Sequence, residues 1–384
     1  MSVSYIPVKT KMVLWGRAGG RCQYRGCNQP LWEDSLTRAE FNTAYIAHIV
    51  ADKPNGPRGD TKLSEKLKSD LSNLMILCDV HHRLVDIQKV DEHPVEVLKA
   101  MKHQHEERVT LLGSLQPNRR SEVLLYGARI GEHGSMLSFD RASQGMLPDW
   151  YPASRDAIQL GMVNSTFEDR ESEFWQVESK NLRRLVKDRV KQRLELGDVQ
   201  HLSIFGLAPQ PLLILLGSLL TDIPSAEVYH LFREPADWRW REHPDDFELV
   251  IRKPTPFEGP PALVLALTAT VTNDRIASVL GPDAAVWTLT VPQPKHDAIS
   301  SRHGLSQFRK ELRLLLDEIK AKHGQDAELN VFPAMGVSTA IELGRVRQPK
   351  ADMPFHIYDQ NLNRGGFRHA LNIGPEEVLD KGGL

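Results

Sequence analysis

The feature that most constrains this chain is the placement of its three cysteines. Cys22 and Cys27 form a C-x4-C pair, and Cys78 is followed by His81 in a C-x2-H step. Tetrahedral zinc takes four thiolate or imidazole ligands, and two such short pairs brought together by a hairpin supply them. The pattern predicts a structural Zn²⁺ held by Cys22, Cys27, Cys78 and His81. The alternative is that the cysteines are simply small, buried apolar residues.

Length, charge and cysteine number limit the class of protein. The 384 residues suggest two or three domains. The 48 Lys and Arg against 50 Asp and Glu give a net charge of −2, which argues against a protein that holds nucleic acid by bulk positive charge. The first 113 residues carry 16 basic against 14 acidic side chains, a net +2, which leaves −4 for the rest. Three cysteines do not make a disulfide framework, so we expect a cytoplasmic location.

One uncharged run, residues 202–221, is long enough to cross a bilayer. Pro209 and Pro211 lie in its middle and would break a spanning helix, leaving backbone groups unpaired in lipid. We therefore predict a buried strand, a turn and a buried helix here, and no membrane partner.

Four residues among the cysteines suit phosphodiester hydrolysis. That reaction needs a base to activate water, a cation on the phosphate and a proton for the leaving oxygen. His82 and Asp86 are spaced i, i+4 in a predicted helix, so they can hold one divalent cation from one face. His48, in a predicted strand facing that helix, could activate the water, and Asn73 could fix the His48 ring by an amide hydrogen bond. Each residue alone is more often structural, but the ordered set indicates a nuclease.

This ordered set resembles the His–Asn–His signature of HNH endonucleases over about residues 14–109. The resemblance implies a ββα-metal finger in which His48 is the general base and Asn73 orients it. It also implies that His82, with Asp86 one helical turn later, binds the catalytic cation. We expect this cation to be Mg²⁺, with Mn²⁺ and Ni²⁺ as alternatives.

The chain departs from the HNH pattern at two positions. Ala47 stands where many members have a metal ligand directly before the base, and the second pair closes with His81–His82 instead of Cys–His. The first departure leaves the cation ligands open. Either His82 and Asp86 suffice with waters, or His48 is itself a ligand.

From about residue 178 strands alternate with helices, which predicts an α/β sheet. Two strand–turn–helix units at 204–209 and 331–336 suggest two Rossmann-like halves, although no repeat of identical residues is evident. In open α/β sheets ligands bind outside the carboxyl ends of the strands, where helix N-termini favour anions. The candidate ligand contacts in the two turns are Ala208, Pro209, Gln210, Met335, Gly336 and Ser338.

A run between these turns, residues 231–242, alternates aromatic and guanidinium side chains. Trp238 and Trp240 could stack on bases while the neighbouring arginines pair with phosphates. The plainer interpretation is a surface loop with one buried tryptophan.

The strings FGLAPQPLLILLG and VFPAMGVSTAIELGR resemble a SAVED domain, a fused pair of CARF-like Rossmann units, over about residues 154–373. The resemblance implies binding of a cyclic di- or trinucleotide activator. HNH followed by SAVED is the layout of a DNA-degrading effector of CBASS antiphage defence. It implies a ligand-induced homo-oligomer, expected to be a tetramer, that cuts double-stranded DNA. The expected domains are 1–113 (HNH), 114–153 (connecting segment) and 154–384 (SAVED sensor).

Two other functions fit parts of the sequence. A restriction-type HNH nuclease could use its C-terminal domain to read modified or specific DNA, but the −4 charge outside the N-terminal segment counts against a DNA-reading domain. A non-enzymatic, zinc-stabilised DNA-binding or scaffold module stays open because of Ala47, since loss of one metal ligand can abolish metal catalysis.

Overall fold

The protein folds as two compact units that divide between Leu115 and Gln116. The computed structural model describes residues 5–130, 137–161, 167–169, 171–241, 247–361 and 366–374. Within these ranges no helix combines the length and apolar character that a membrane crossing requires.

The first unit is built on a two-stranded antiparallel sheet followed directly by a helix. Strand β1 (Tyr45–His48) pairs with β2 (Leu74–Leu77), with His48 opposite Leu74. All four residues of β2 are buried, which explains its continuous apolar run. The helices of this unit are α1 (Val8–Arg17), α2 (Leu63–Leu67), α3 (Asp79–Arg83), which continues in a π-helical turn (Leu84–Gln88), and α4 (Val95–Gly113). The apolar residues of this last segment recur at helical spacing, as α4 requires.

The second unit contains two mostly parallel sheets. The first has the strand order β4-β3-β6-β7, with β5 also on β3, and the second has the order β10-β12-β11-β13-β14-β15. The strands of the first sheet are β3 (Arg120–Gly127), β4 (Tyr151–Pro152), β5 (Ile158–Gln159), β6 (Leu202–Leu207) and β7 (Ala226–Val228). A short hairpin is formed by β8 (Phe232–Arg233) and β9 (Ala236–Asp237).

The second sheet ends in antiparallel strands on both edges, β10 and β15. Its strands are β10 (Val250–Arg252), β11 (Pro261–Ala266), β12 (Ala285–Thr290), β13 (Leu329–Ala334), β14 (Phe355–Asn361) and β15 (Gly366–Ile373). The helices of the unit are α5 (Phe139–Met146), α6 (Ser172–Val186), α7 (Gln192–Glu195), α8 (Gln210–Leu220), α9 (Asn273–Leu280), α10 (Arg302–His323) and α11 (Val337–Val346).

The segment expected to connect the domains, residues 114–153, is more than a connection. Its strand β3 lies beside β6, with Glu122 opposite Leu202, and is buried over most of its length. The sequence pattern misses this because the apolar run is short and polar residues flank it. Likewise α6 begins at Ser172 and not near 178, because Phe174 and Trp175 pack into the core.

The two Rossmann-like halves predicted from the sequence are present and carry a repeat. Strands β6 and β13 begin 127 residues apart, at Leu202 and Leu329, and both lead into a helix. At this offset the pattern F-x8-I-x-L-G recurs, starting at Phe205 and at Phe332. The repeat was not evident from the sequence because the turns between strand and helix differ.

Helices α8 and α11 cross at the two glycines of this repeat. A Cβ atom built on Gly217 would lie 1.9 Å from the Ile341 carbonyl oxygen, and one built on Gly344 would lie 1.9 Å from the Ile214 oxygen. Each half therefore contributes one glycine that lets the other half's backbone approach. The crossing keeps the N-termini of α8 and α11 close together. The two candidate ligand-binding turns, which precede these helices, are therefore also close together.

We expect Gly344→Ala to destabilise the second unit by about 3 kcal/mol, because the methyl group must push apart two packed backbones. Gly304→Ala is the matched control, since a Cβ atom there would meet its neighbours at 3.4 Å or more. Urea denaturation of both variants checks this. Equal midpoints would show that the helices can separate at little cost.

Candidate metal centre and ligand face

The structure brings Cys22, Cys27, Cys78 and His81 together. Their ligand atoms all lie within 4.8 Å of one another. His81 Nδ1 is 3.0 Å from Cys78 Sγ and 3.8 Å from Cys22 Sγ. In a tetrahedral zinc site sulfur and nitrogen ligands are about 3.5 Å apart, so the donor set fits zinc.

Local structure positions each of these four donors. Cys22 and Cys27 lie in a tight loop closed by a hydrogen bond from Cys22 N to Gln29 O (2.9 Å). Cys78 precedes the first turn of α3, and its backbone N donates to Cys22 Sγ (3.3 Å). Burial raises the pKa of the Cys22 and Cys78 thiols, so a metal must displace protons to bind.

An aromatic residue orients the histidine of this cluster. The Tyr24 ring stacks on His81 with 4.1 Å between centroids, and the Tyr24 hydroxyl lies 3.0 Å from His93 Nε2. Lys89 O, 2.7 Å from His93 Nδ1, accepts the proton of that nitrogen, so Nε2 accepts from Tyr24. Such outer contacts fix the ring plane of a metal-binding histidine.

His48 is buried at the end of β1, with 6% of its surface exposed. Its Nε2 lies 2.9 Å from the Lys68 carbonyl oxygen. A carbonyl only accepts, so Nε2 carries the proton and Nδ1 keeps the lone pair. This tautomer leaves Nδ1 as the basic nitrogen, as a general base requires.

Strand β1 contacts helix α3 through Tyr45. Tyr45 stacks on His82 of α3 with 5.0 Å between ring centroids. Because side chains alternate along a strand, Ala47 shares the face of Tyr45. The helix-facing position directly before His48 is therefore the one where this chain has alanine.

Asn73 acts on backbone, not on the ring of His48. Its Oδ1 accepts from Val50 N (2.8 Å), and its Nδ2 donates to Val50 O (2.8 Å) and Leu67 O (3.2 Å). The expected amide–imidazole hydrogen bond is replaced because Lys68 O already takes the Nε2 proton of His48. Asn73 thus fixes the chain two residues after His48.

His82 and Asp86 lie on one face, as the i, i+4 spacing predicts. His82 Nε2 is 3.4 Å from Asp86 Oδ2, close to the distance between two ligands of one ion. Burial lowers the pKa of His82, although the Asp86 carboxylate partly raises it. A neutral imidazole is the form that binds metals. The other oxygen of Asp86 accepts from Arg58 Nη2 at 2.5 Å.

Arg58 is a residue of this site that the sequence analysis missed. Its side chain is 7% exposed and, besides Asp86, donates to Ile49 O (2.8 Å), Val85 O (3.0 Å) and His48 O (3.3 Å). It ties the end of β1 to the turn after α3. Sequence alone does not separate a buried arginine from a surface one, and only the neighbouring Pro57 and Gly59 hint at a special conformation.

We expect Arg58→Ala to destabilise the first unit by about 3 kcal/mol, because it leaves Asp86 and several buried carbonyls without their partner. Arg83→Ala is the matched control, since Arg83 pairs with Asp79 at the surface and should change stability by less than about 1 kcal/mol. Chemical denaturation followed by far-UV circular dichroism measures both. Similar losses in the two variants would contradict the role assigned to Arg58.

The two candidate turns of the second unit touch each other. Gln210 Oε1 accepts from Met335 N at 3.1 Å. Ala208, Pro209 and Met335 are buried, so these positions contribute backbone more than side chain. We call the surface formed by the turns 208–210 and 335–338 the ligand face. It lies at the carboxyl ends of β6 and β13 and at the N-termini of α8 and α11.

The two tryptophans predicted to stack on bases differ. Trp238 is 3% exposed and packs edge-on against Phe205 with 5.1 Å between centroids, so the plainer interpretation, a buried tryptophan, holds for it. Trp240 is half-buried, 6.3 Å from the ring of His230. Its Nε1 is buried without a hydrogen-bond partner in the described chain.

His230, His296 and Asp297 form a cluster beside the ligand face that the sequence analysis missed. Ser338 Oγ lies 3.1 Å from His230 Nδ1, and His296 Nδ1 lies 2.6 Å from Asp297 Oδ1. Burial lowers the pKa of His230 to about 4, an effect that Asp297 only partly offsets. The only sequence signal was the adjacent His–Asp pair, which is common on protein surfaces.

Comparison with known proteins identifies the second unit. The family model that matches is SAVED, the SMODS-associated and fused to various effectors sensor domain, over residues 182–373. No curated protein matches the chain.

Solved structures with a similar fold are Cap4 SAVED/CARF-domain containing receptors. The Acinetobacter baumannii receptor with the cyclic trinucleotide 2'3'3'-cAAA is 12% identical, with a TM-score of 0.42, over 75% of this chain and 62% of that chain. The Moraxella osloensis receptor is 13% identical, with a TM-score of 0.38, over 82% of this chain and 70% of that chain. This chain thus spans about three-fifths of the length of the Acinetobacter receptor.

The SAVED match covers half of the chain and includes both strand–turn–helix repeats and the turns between them. The paired halves, the crossing of α8 and α11 and the ligand face all lie inside it. This chain therefore belongs to the SAVED family of sensor domains.

Proposed function

We propose that this protein is a metal-dependent endonuclease that degrades double-stranded DNA in CBASS antiphage defence when a cyclic oligonucleotide binds its SAVED unit. The observation that carries the nuclease is the strand–strand–helix unit of residues 45–88. It holds His48 as the tautomer with a free Nδ1 and sets His82 beside Asp86. Four convergent cysteine and histidine donors brace the same helix.

The first unit would hold two kinds of metal. Cys22, Cys27, Cys78 and His81 would hold a structural Zn²⁺ that links the 22–29 loop to α3. His82 and Asp86 would hold a divalent cation, with Mg²⁺ expected and Mn²⁺ or Ni²⁺ as alternatives. That cation, when bound, supplies charge neutralisation at the scissile phosphate and at the leaving oxygen.

The protein's own residues would do the remaining chemistry. His48 Nδ1 takes the proton of the attacking water while the Lys68 carbonyl keeps the ring in place. Asn73 would hold the backbone beyond His48 through its hydrogen bond with Val50. Arg58 would hold it through the carbonyl groups of His48 and Ile49. Ala47 provides no ligand, so His82 and Asp86 would hold the cation together with water molecules.

The SAVED unit would bind a cyclic di- or trinucleotide on the ligand face. Membership of a sensor-domain family supports a ligand role. The N-termini of α8 and α11 meet there, and the free N–H groups of helix N-termini favour phosphate. The cyclic trinucleotide of the Acinetobacter receptor belongs to the class of ligand that we propose.

Activation would proceed by assembly into a homo-oligomer, expected to be a tetramer. With a net charge of −2 a single chain holds DNA weakly, and gathering several basic N-terminal faces raises the effective concentration of DNA contacts. The nucleotide must bind the assembled state better than the free chain, since equal affinity shifts nothing.

Plasmid cleavage tests the proposal. Purified protein is incubated with plasmid and Mg²⁺, Mn²⁺ or Ni²⁺, with and without a panel of cyclic di- and trinucleotides. We expect linear and degraded DNA only when metal and one nucleotide are both present. Equal cleavage without nucleotide would exclude the switch, and cleavage that depends on DNA modification would favour the restriction-type alternative. A protein that binds zinc but cleaves no DNA with any combination of metal and nucleotide would favour the non-enzymatic scaffold alternative.

We expect the activating nucleotide, at about 100 times its Kd, to raise the melting temperature of the second unit by roughly 5 °C or more. Gln210→Ala should reduce this shift, because it removes the hydrogen bond that joins the two turns. Gln325→Ala is the matched control, since that amide bonds to Lys350 O on the surface. Differential scanning fluorimetry measures all three proteins. The same rise in melting temperature in all three proteins would show that the two turns are not part of the nucleotide-binding site.

A further inference from the structure

A second set of metal-type ligands lies in the SAVED unit, and neither the proposed nuclease nor the cysteine cluster uses it. It consists of His230, which follows β7, and of the adjacent His296 and Asp297, which follow β12. We propose that these three residues bind one divalent transition-metal ion, Zn²⁺ or Ni²⁺, between the two halves of the SAVED fold.

The distances suit a single ion. One nitrogen from each histidine and one carboxylate oxygen all lie within 4.8 Å of one another. Asp297 Oδ1 is 2.6 Å from His296 Nδ1 and 3.5 Å from His230 Nε2. Ligands about 2.1 Å from a common ion lie roughly 3.0–3.5 Å apart, so small rotations of the exposed His296 would bring all three into contact with it.

The buried histidine of this set has one nitrogen, Nε2, that makes no hydrogen bond within the described chain and faces Asp297. His230 is 2% exposed, and its Nε2 is buried with no hydrogen-bond partner among the described residues. Its other nitrogen, Nδ1, lies 3.1 Å from Ser338 Oγ. Metal-binding histidines are held in this way by a bond at the second nitrogen, which aims the first at the ion. A cation between Nε2 and Asp297 Oδ1, which are 3.5 Å apart, would give this nitrogen a direct bond to the ion.

The space at this site fits an ion and not a nucleotide base. His230 and His296 line a cavity of about 10 Å³, together with residues of the ligand face such as Gly336 and Ser338. A volume of this order holds a single water or ion. This volume therefore accommodates a single ion or water molecule.

The site is held in place and open to solvent. Hydrogen bonds from Lys295 N to Leu267 O (3.1 Å) and from Ala298 N to Lys295 O (3.0 Å) fix the loop on both sides of the pair. The His296 side chain is 37% exposed, which leaves a path for an ion.

The number and type of the available ligand atoms determine which metal fits the site. Arg241 Nη2 lies 3.7 Å from Asp297 Oδ2 and competes for that carboxylate. The remaining donors are two imidazoles and one carboxylate oxygen, a set that suits Zn²⁺ and Ni²⁺. Mg²⁺ and Ca²⁺ need more oxygen ligands than this cluster offers.

Cobalt titration of the full chain tests the site without relying on nuclease activity or on a nucleotide. The proteins are expressed in zinc-depleted medium with Co²⁺, so that Co²⁺ and not Zn²⁺ occupies the cysteine cluster as the first unit folds. Every protein carries His82→Ala, so that the proposed catalytic cation site is removed. Co²⁺ bound to thiolates shows strong charge-transfer absorption in the near ultraviolet, whereas Co²⁺ bound to imidazole and carboxylate does not. Equilibrium dialysis with elemental analysis counts the ions bound.

We expect two Co²⁺ per chain in the His82→Ala protein, of which one gives thiolate absorption. Adding His296→Gln at the surface, or His230→Gln in the interior, should lower affinity for the second ion at least about tenfold and leave the thiolate absorption unchanged. His356→Gln, whose ring pairs with Glu328 in the same unit, is the control and should bind both ions. A second ion retained at equal affinity by His296→Gln, or never bound by the parent protein, would overturn the proposal.

Discussion

His48→Ala should reduce nucleotide-triggered plasmid cleavage by about 10²–10⁴-fold, because it removes the base that takes the proton from the attacking water. The structure leaves His48 Nδ1 as the nitrogen for this task, since the Lys68 carbonyl holds the proton on Nε2. Initial cleavage rates at saturating metal and nucleotide measure the loss. The effect should appear in the rate and not in the nucleotide concentration needed, because the ligand face lies in the other unit.

A structural role for His48 must be separated from a chemical one. The substitution also leaves the Lys68 carbonyl without its partner, so the variant must be shown to keep its zinc and its melting temperature. His103→Ala is the matched control, because that side chain is 74% exposed on α4. If His48→Ala folds normally and cuts at the wild-type rate, the assignment of the base is wrong.

Cys78→Ser should unfold the first unit and abolish its zinc content. The apparent binding free energy of a structural zinc site is about 10–16 kcal/mol, which equals or exceeds the whole stability of a typical domain. Cys78 occupies the centre of the cluster, with its sulfur 3.0 Å from His81 Nδ1 and its backbone N bonded to Cys22 Sγ. Elemental analysis in a His296→Gln background, which removes the metal site proposed in the SAVED unit, gives the zinc content of the first unit. Limited proteolysis shows which unit is cut.

The second unit provides an internal reference for this experiment. Its core is built without the cysteine cluster, so its melting transition and its response to nucleotide should persist in Cys78→Ser. Ser69→Ala, which removes only an exposed hydroxyl of the first unit, should keep full zinc and resist protease. A Cys78→Ser protein with one zinc per chain and an intact first unit would refute the structural site.

The limits of sequence-based prediction follow from the range of each interaction. The metal donors Cys22, Cys27, Cys78 and His81 could be listed in advance, because tetrahedral ligation needs short paired spacings that are visible along the chain. Helix α4 and the strands of the SAVED unit could also be predicted, since apolar periodicity is local. The place of strand β3 in the sheet could not be predicted, because it depends on β6, about 80 residues away.

The contacts of the candidate nuclease site show the same division. The i, i+4 spacing predicted that His82 meets Asp86, because one helix carries both. It could not show that Asn73 bonds to Val50 backbone or that Tyr45 stacks on His82. Those outcomes depend on the register of β1 against β2.

The sequence by itself determined which residues could bind a metal and which helix N-termini could bind an anion. The first depends on the local spacing of the ligands, and the second depends on the order strand, turn, helix. Only the tertiary structure decided that Arg58 links the two sides of the first site, that Gly217 and Gly344 let two related helices cross, and that His230 meets Asp297. Each of these contacts joins residues that are distant in sequence, and such contacts form only when whole elements pack. The cysteine pattern, which constrains the fold most, is therefore the part of the site that could be predicted from the sequence alone.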